Sequence, residues 1–201
     1  PQTAHVETVV ELGRGATPPP AAPPAAPGPI PADTGRTKSG VTMPETIDID
    51  GHSLSLNGMA LRKKLVFKVY VAGLYLTTPS HSAEEILAAD QPRRMVMHFV
   101  RNVDKNKICE AWDEGLEKNT PSASDGLKAQ FSELCGMMAD IKDGQAFVFT
   151  YLPGSGTTVE SASEAKGTIP GKEFADAILA CWIGPKPGPG EGFKKDLLSQ
   201  S

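Results

Sequence analysis

The sequence predicts an α+β domain, an antiparallel sheet carrying a layer of helices, and three observations predict it. Alternating apolar strands are joined by short turns such as Asp50-Gly51 and Pro153-Gly154-Ser155-Gly156, which is how hairpins are written in sequence. Amphipathic helical patterns are grouped between clusters of strands, not interleaved one for one with them, which argues against a parallel βαβ sheet. A leading segment rich in Pro and Ala has no periodic apolar face and belongs to neither pattern.

That leading segment, residues 1–40, contains the run from Thr17 to Pro31 in which prolines dominate. Prolines remove backbone donors and favour extended polyproline geometry, so a disordered tail or semi-rigid linker is expected. Globular patterning starts at Pro44 and is expected to run to Leu198, giving a domain over 44–198. Thr46 to Leu56 reads as two strands around Asp50-Gly51. Asn57-Gly58 reads as a second turn, followed by one long strand from Arg62 to Leu76. A short helix is expected between Thr78 and Asp90, with Ser82 as its cap and Glu85 completing a capping box.

A strand over Arg94–Arg101 precedes two helices. Asp104 caps the first, whose apolar stripe is Ile108, Ala111, Trp112, Gly115 and Leu116. Gly115 inside that helix forgoes about 1 kcal/mol of helix propensity relative to Ala, which close packing would offset. Ser124 starts the second helix, with Leu127, Phe131, Leu134 and Met138 facing inward. Gln145–Leu152 and a strand from Thr157 form a hairpin across Pro153-Gly154-Ser155-Gly156. A last major helix carries Phe174, Ala177, Ile178, Cys181 and Trp182 on one face, and Phe193–Leu198 forms a short terminal helix.

Composition narrows the function classes. The 201 residues carry a formal net charge of -4, with 22% charged and 39% hydrophobic residues. This suits a globular domain and argues against a nucleic-acid platform. The longest apolar run, Leu65 to Leu76, is interrupted by Lys68, so no transmembrane segment is expected. The chain starts at Pro1 with no export signal, as expected of a processed or truncated product.

Cys109, Cys135 and Cys181 are odd in number and widely spaced, which is neither a disulfide framework nor a zinc pattern. Each is expected to be a small buried hydrophobe. His5, His52, His81 and His98 show no ligand spacing, so no metal site and no cofactor is expected. The loop at Leu152–Thr157 lacks the phosphate-binding frame and precedes a strand, and Ser155 lies in no nucleophile elbow. Arg101 reads as an ion-pair residue, Trp112 as core, and Lys63 and Lys64 as solvated charges. Arg62, at the edge of an apolar run that also carries Tyr70, is either a solvent-facing strand end or the anchor for a buried anion.

Taken together, LNGMALRKKLVFKVYVAGLYL, HFVRNVDKNKICEAWDEG, YLPGSGT, GTIPGKEFADAILACWIG and the closing Lys194-Lys195-Asp-Leu-Leu198 resemble the chalcone isomerase-like domain in its bacterial form. The resemblance covers Pro44 to Leu198, with the motifs in the family's order. It implies an open-faced β-sandwich: a large antiparallel sheet packed against a helical layer, with a ligand cleft between them. Arg62 matches the arginine that assists ring closure in the enzymes of this fold, and Tyr70 falls where they carry a threonine. Their tyrosine, lysine and asparagine on the next helix fall on Ile108, Ala111 and Gly115. Their threonine or serine of the last major helix falls on Cys181.

Most polar groups that would hold and activate a chalcone are thus replaced, and ring closure needs donors at the developing enolate. Arg62 and Tyr70 instead resemble the pair that grips a carboxylate in the family's non-catalytic, fatty acid-binding plant members. The resemblance therefore implies binding of a fatty acid or other small amphipathic carboxylate. An isomerase or lyase acting on another small molecule and an assembly or interaction domain are the alternatives. Bacterial relatives often carry a secretion signal, so a periplasmic or otherwise exported location is expected.

Overall fold

Residues 34–199 are described by the computed structural model. The described residues open with a two-stranded hairpin, β1 (Gly35–Lys38) and β2 (Val41–Pro44). There follow β3 (Thr46–Ile49), β4 (His52–Lys64), β5 (Phe67–Leu76), β6 (Arg93–Phe99), β7 (Ala146–Leu152), β8 (Gly156–Ser161) and β9 (Glu164–Ile169). These form a seven-stranded sheet in sequential order, antiparallel throughout. The helices are α1 (Ala83–Ala88), α2 (Lys105–Asn119), α3 (Asp125–Met137), α4 (Lys172–Ile183) and α5 (Glu191–Leu198). The α+β class and the layered, helix-covered antiparallel sheet are as expected.

The domain begins earlier than Pro44. Residues 35–40, placed by sequence in the tail, form β1 and the turn into β2, while residues 1–33 lie outside the described residues. Val41 and Met43 of β2 are buried against Leu54, Leu56, Met59, Val71 and Tyr75 on the sheet face opposite the helices. A Cβ at Gly73 would collide with the Met43 sulfur, so the glycine lets the hairpin sit flat on β5. The larger core lies on the other face, where Leu74, Met95, Phe147, Phe149 and Val159 of the sheet meet Trp112, Phe131, Phe174, Ile178 and Trp182 of the helices.

Local signals set the helix starts. Asp104 accepts from Lys107 N at 3.1 Å, and Ser124 accepts from Leu127 N at 3.1 Å. Ser82 accepts from Glu85 N at 3.2 Å, but the reciprocal half of the capping box is displaced. Ser82 N donates to Ser80 Oγ, and that hydroxyl donates to Glu85.

Four further expectations are corrected. The stretch Arg62–Leu76 is not one strand: the chain reverses at Leu65-Val66 between β4 (His52–Lys64) and β5 (Phe67–Leu76). Leu65 takes a φ of 56° there, a left-handed turn made without Gly, Asn or Pro to announce it. Asn57-Gly58 is a bulge inside β4, not a turn. The buried Asn57 side chain donates to Ser80 O at 3.0 Å and Leu197 O at 2.9 Å and accepts from Ser80 N at 2.9 Å. Three satisfied backbone partners outweigh the dipeptide's local turn preference. A Cβ at residue 58 would meet the carbonyl oxygens of Asp196 and Leu197, so the glycine admits α5.

The third correction concerns the cysteines. Cys109 on α2 and Cys135 on α3 form a disulfide, with Cα atoms 5.4 Å apart, and only Cys181 is free. Arg101 also departs from expectation: its guanidinium lies over the Phe67 ring, 4.5 Å from the centroid, and it joins no ion pair among the described residues.

Candidate ligand-binding site

The β4–β5 register builds the site. Arg62 stands directly opposite Tyr70, and directly opposed residues of an antiparallel pair project from the same face of the sheet. Here that face carries the helices. Between them lies a cavity of about 220 Å³ whose lining includes Arg62, Tyr70, Ile108, Ala111, Gly115 and Cys181. All of the sequence-predicted binding residues therefore come together, contributed by β4, β5, α2 and α4.

Tyr70 is the polar centre of an apolar wall. Its ring packs on Phe99 and Phe193, with centroids 5.4 and 5.9 Å away, and its hydroxyl accepts from Trp182 Nε1 at 3.2 Å. Burial pushes the phenol up to about 12, against smaller opposing pulls from the Trp182 hydrogen bond and the Arg62 charge. The group stays neutral near pH 7. Because its oxygen accepts from Trp182, its own O–H remains available to a ligand oxygen.

Arg62 is half-buried, and Nη1 donates to Pro189 O at 3.3 Å in the segment between α4 and α5. No carboxylate pairs with it among the described residues. A guanidinium has five N–H donors in a planar fork, so this one backbone contact fixes the side chain and leaves most of its capacity unused. Of the other charged groups on the lining, exposed Lys64 likewise joins no salt bridge among the described residues, whereas those on α2 are paired. Glu110 and Glu114 pair along α2 with Lys107 and Lys118 at 3.2 and 3.5 Å.

Ile108 is buried and Ala111 exposed on α2, and neither side chain offers a hydrogen bond. Gly115 and Cys181 have a packing role as well as a lining one. A Cβ at Gly115 would lie 2.5 Å from Cys181 Sγ, so the glycine sets how closely α2 approaches α4. Burial pushes the Cys181 thiol up to about 12, which leaves it neutral and a poor nucleophile.

Two indoles were missed by sequence reasoning. Trp112 is core by burial, as its helical stripe implied, yet its ring also lines the cavity. Its buried Nε1 has no hydrogen-bond partner among the described residues. Trp182 lies beside it, ring centroids 5.5 Å apart, and orients Tyr70. The available signal was Trp112 sharing the stripe of Ile108 and Gly115, and Trp182 following Cys181. The arrangement offers an anion one guanidinium and one phenol O–H, with an apolar aromatic body beside them. Among the described residues no group of His, Cys, Asp and Glu is placed to hold a metal ion.

No curated protein matches this sequence. Among solved structures, the crystal structure of an Arabidopsis thaliana fatty-acid binding protein is similar at a TM-score of 0.65 and 20% identity, covering 82% of this chain and 95% of that one. At that identity the likeness establishes the fold. The family model described as chalcone isomerase-like matches residues 35–199, from the first strand to the end of the last helix. The chain belongs to the chalcone isomerase-like family.

Proposed function

We propose that the protein binds a fatty acid or similar amphipathic carboxylate, without turning it over, in the cavity between sheet and helices. The observation that carries this reading is the Arg62 guanidinium, held by no carboxylate among the described residues, set opposite a neutral, buried Tyr70 hydroxyl. A carboxylate accepts two parallel N–H bonds from the arginine and one O–H bond from the tyrosine. Its hydrocarbon then lies against the Met97, Phe99, Ile108 and Trp112 wall. The similar fold of a fatty-acid binding protein supports the same choice. Ile108, Ala111 and Gly115 provide no side-chain donor for a developing enolate, which favours binding over ring closure.

The cavity of about 220 Å³ refines the ligand. It is below the ~300 Å³ at which pockets begin to enclose most of a drug-sized molecule. In this conformation it takes a head group and a short stretch of chain, and a longer tail requires α2 to move or methylenes to extend past Ala111. The proposal extends to location: a disulfide between α2 and α3 suits an oxidising compartment such as the periplasm. The test of the binding reading is a calorimetric titration with saturated fatty acids. Saturable one-to-one binding supports it, and no heat or saturation at any chain length overturns it.

A further inference from the structure

We propose that the tip of the β4–β5 hairpin is a membrane-docking element that sets the cavity beside an anionic lipid surface. Leu65 is 89% exposed, Val66 85% and Phe67 53%, and these are the large hydrophobic residues left exposed among the described residues. Scattered apolar exposure is ordinary, but here it is three consecutive residues at one protruding turn. Leu65 also holds a left-handed φ of 56°, unfavourable for a bulky residue. No buried contact of that side chain offsets this.

Charge selects the occupant. Lys63, Lys64 and Lys68 flank the three apolar residues, all exposed, and Arg101 lies over Phe67. No acidic residue occurs from Arg62 to Tyr70 in a chain whose net charge is -4, and none of these four cations joins a salt bridge among the described residues. Apolar side chains ringed by lysines match the layering of a bilayer surface, with acyl chains beneath anionic headgroups. A protein partner fits less well, because a specific interface needs roughly 1,000 Å² or more with good complementarity, and three residues at a turn supply little of that.

The tip is continuous with the site. Lys64 and Val69, at its two ends, both line the cavity, and Arg62 and Tyr70 lie just beyond them on the same two strands. Docking through this tip places the cavity within reach of membrane lipids. The proposal concerns the surface and holds whichever ligand the cavity takes.

The test is flotation of the whole chain with vesicles of phosphatidylcholine alone and of equimolar phosphatidylcholine and phosphatidylglycerol, with no free fatty acid added. Wild type is expected to float with the anionic vesicles and far less with the neutral ones, and to be released by salt. Leu65→Ser/Val66→Ser is expected to lower partitioning about tenfold or more, and Lys63→Gln/Lys68→Gln to abolish the preference for anionic vesicles, both with unchanged circular dichroism. Equal binding to both vesicle types, no binding to either, or undiminished binding of the serine variant would overturn the proposal. So would a wild-type dimer that the serine variant converts to monomer, since the tip would then be a self-interface. Fatty-acid titration of the same serine variant separates this outcome from any failure of the cavity reading.

Discussion

Arg62 on β4 and Tyr70 on β5 are register partners across one antiparallel pair. The reversal at Leu65-Val66 brings them together, although they stand at different points of what reads in sequence as a single strand. One side chain supplies a permanent charge. The other supplies a hydroxyl that its surroundings keep protonated and that Trp182 already orients. The helices close over this pair, so its chemistry is expressed in a largely apolar setting where charge-assisted hydrogen bonds are strong.

Tyr70→Phe removes the hydroxyl and leaves the Trp182 N–H buried without its acceptor, a loss of roughly 1–3 kcal/mol of stability at pH 7. The variant also changes the alkaline limb. The folded-state value of Tyr70 lies above its ordinary 10.0, at about 12. The stability it contributes through its neutral form is therefore complete below about pH 10 and is lost as pH rises through about 12. Thermal melts from pH 7 to 12 are expected to show a shallower alkaline decline in Tyr70→Phe than in wild type.

Gly115→Ala improves helix propensity by about 1 kcal/mol yet places a methyl 2.5 Å from Cys181 Sγ. Overpacking of this kind opposes stability by about 1–3 kcal/mol, so a net lower Tm is expected. Adding Cys181→Ala removes the sulfur and is expected to recover part of the loss. Additive effects of the two substitutions would show that the α2–α4 contact is not the constraint.

The Cys109–Cys135 bond closes a loop of sequence separation 26. Chain-entropy reasoning gives it roughly 3–4 kcal/mol against the unfolded state. Cys135→Ser, or full reduction, is expected to lower the denaturant midpoint accordingly. Thiol titration of the unreduced, denatured chain is expected to find Cys181 alone.

Much of this fold is written locally. The caps at Ser82, Asp104 and Ser124 are legible because each satisfies a donor three residues away, and Asp50-Gly51 because its left-handed turn needs those residue types. What stayed hidden depends on distant partners. Asn57 reads as a turn until Ser80 and Leu197 supply its hydrogen bonds. The disulfide joins separate helices at no characteristic spacing, and the turn at Leu65-Val66 carries no breaker residue. Part of the cavity lining, Arg62, Tyr70, Ile108, Ala111, Gly115 and Cys181, was legible by family resemblance, whereas Met97, Phe99, Trp112 and Trp182 were not assigned to it. Helical periodicity reports that a side chain is buried and says nothing about whether it lies against protein or against a cavity.

Chain length offers a check on the cavity. Each methylene that enters apolar surroundings contributes about 0.8 kcal/mol, close to fourfold in affinity. Across a saturated series, affinity is expected to rise by that factor and then level off once the volume of about 220 Å³ is filled. A constant rise through the longest acids would show that α2 opens to admit the whole chain.

The most direct measurement is calorimetric titration of one fatty acid into wild type and Arg62→Ala, side by side at neutral pH. Loss of hydrogen bonds to a charged group removes about 1.5–3 kcal/mol, so the variant is expected to bind roughly ten- to a hundredfold more weakly while melting near the wild-type temperature. The methyl ester, which carries no negative charge, is expected to bind both proteins alike. Equal affinity of the free acid for wild type and Arg62→Ala would contradict the assignment of Arg62 as the carboxylate anchor.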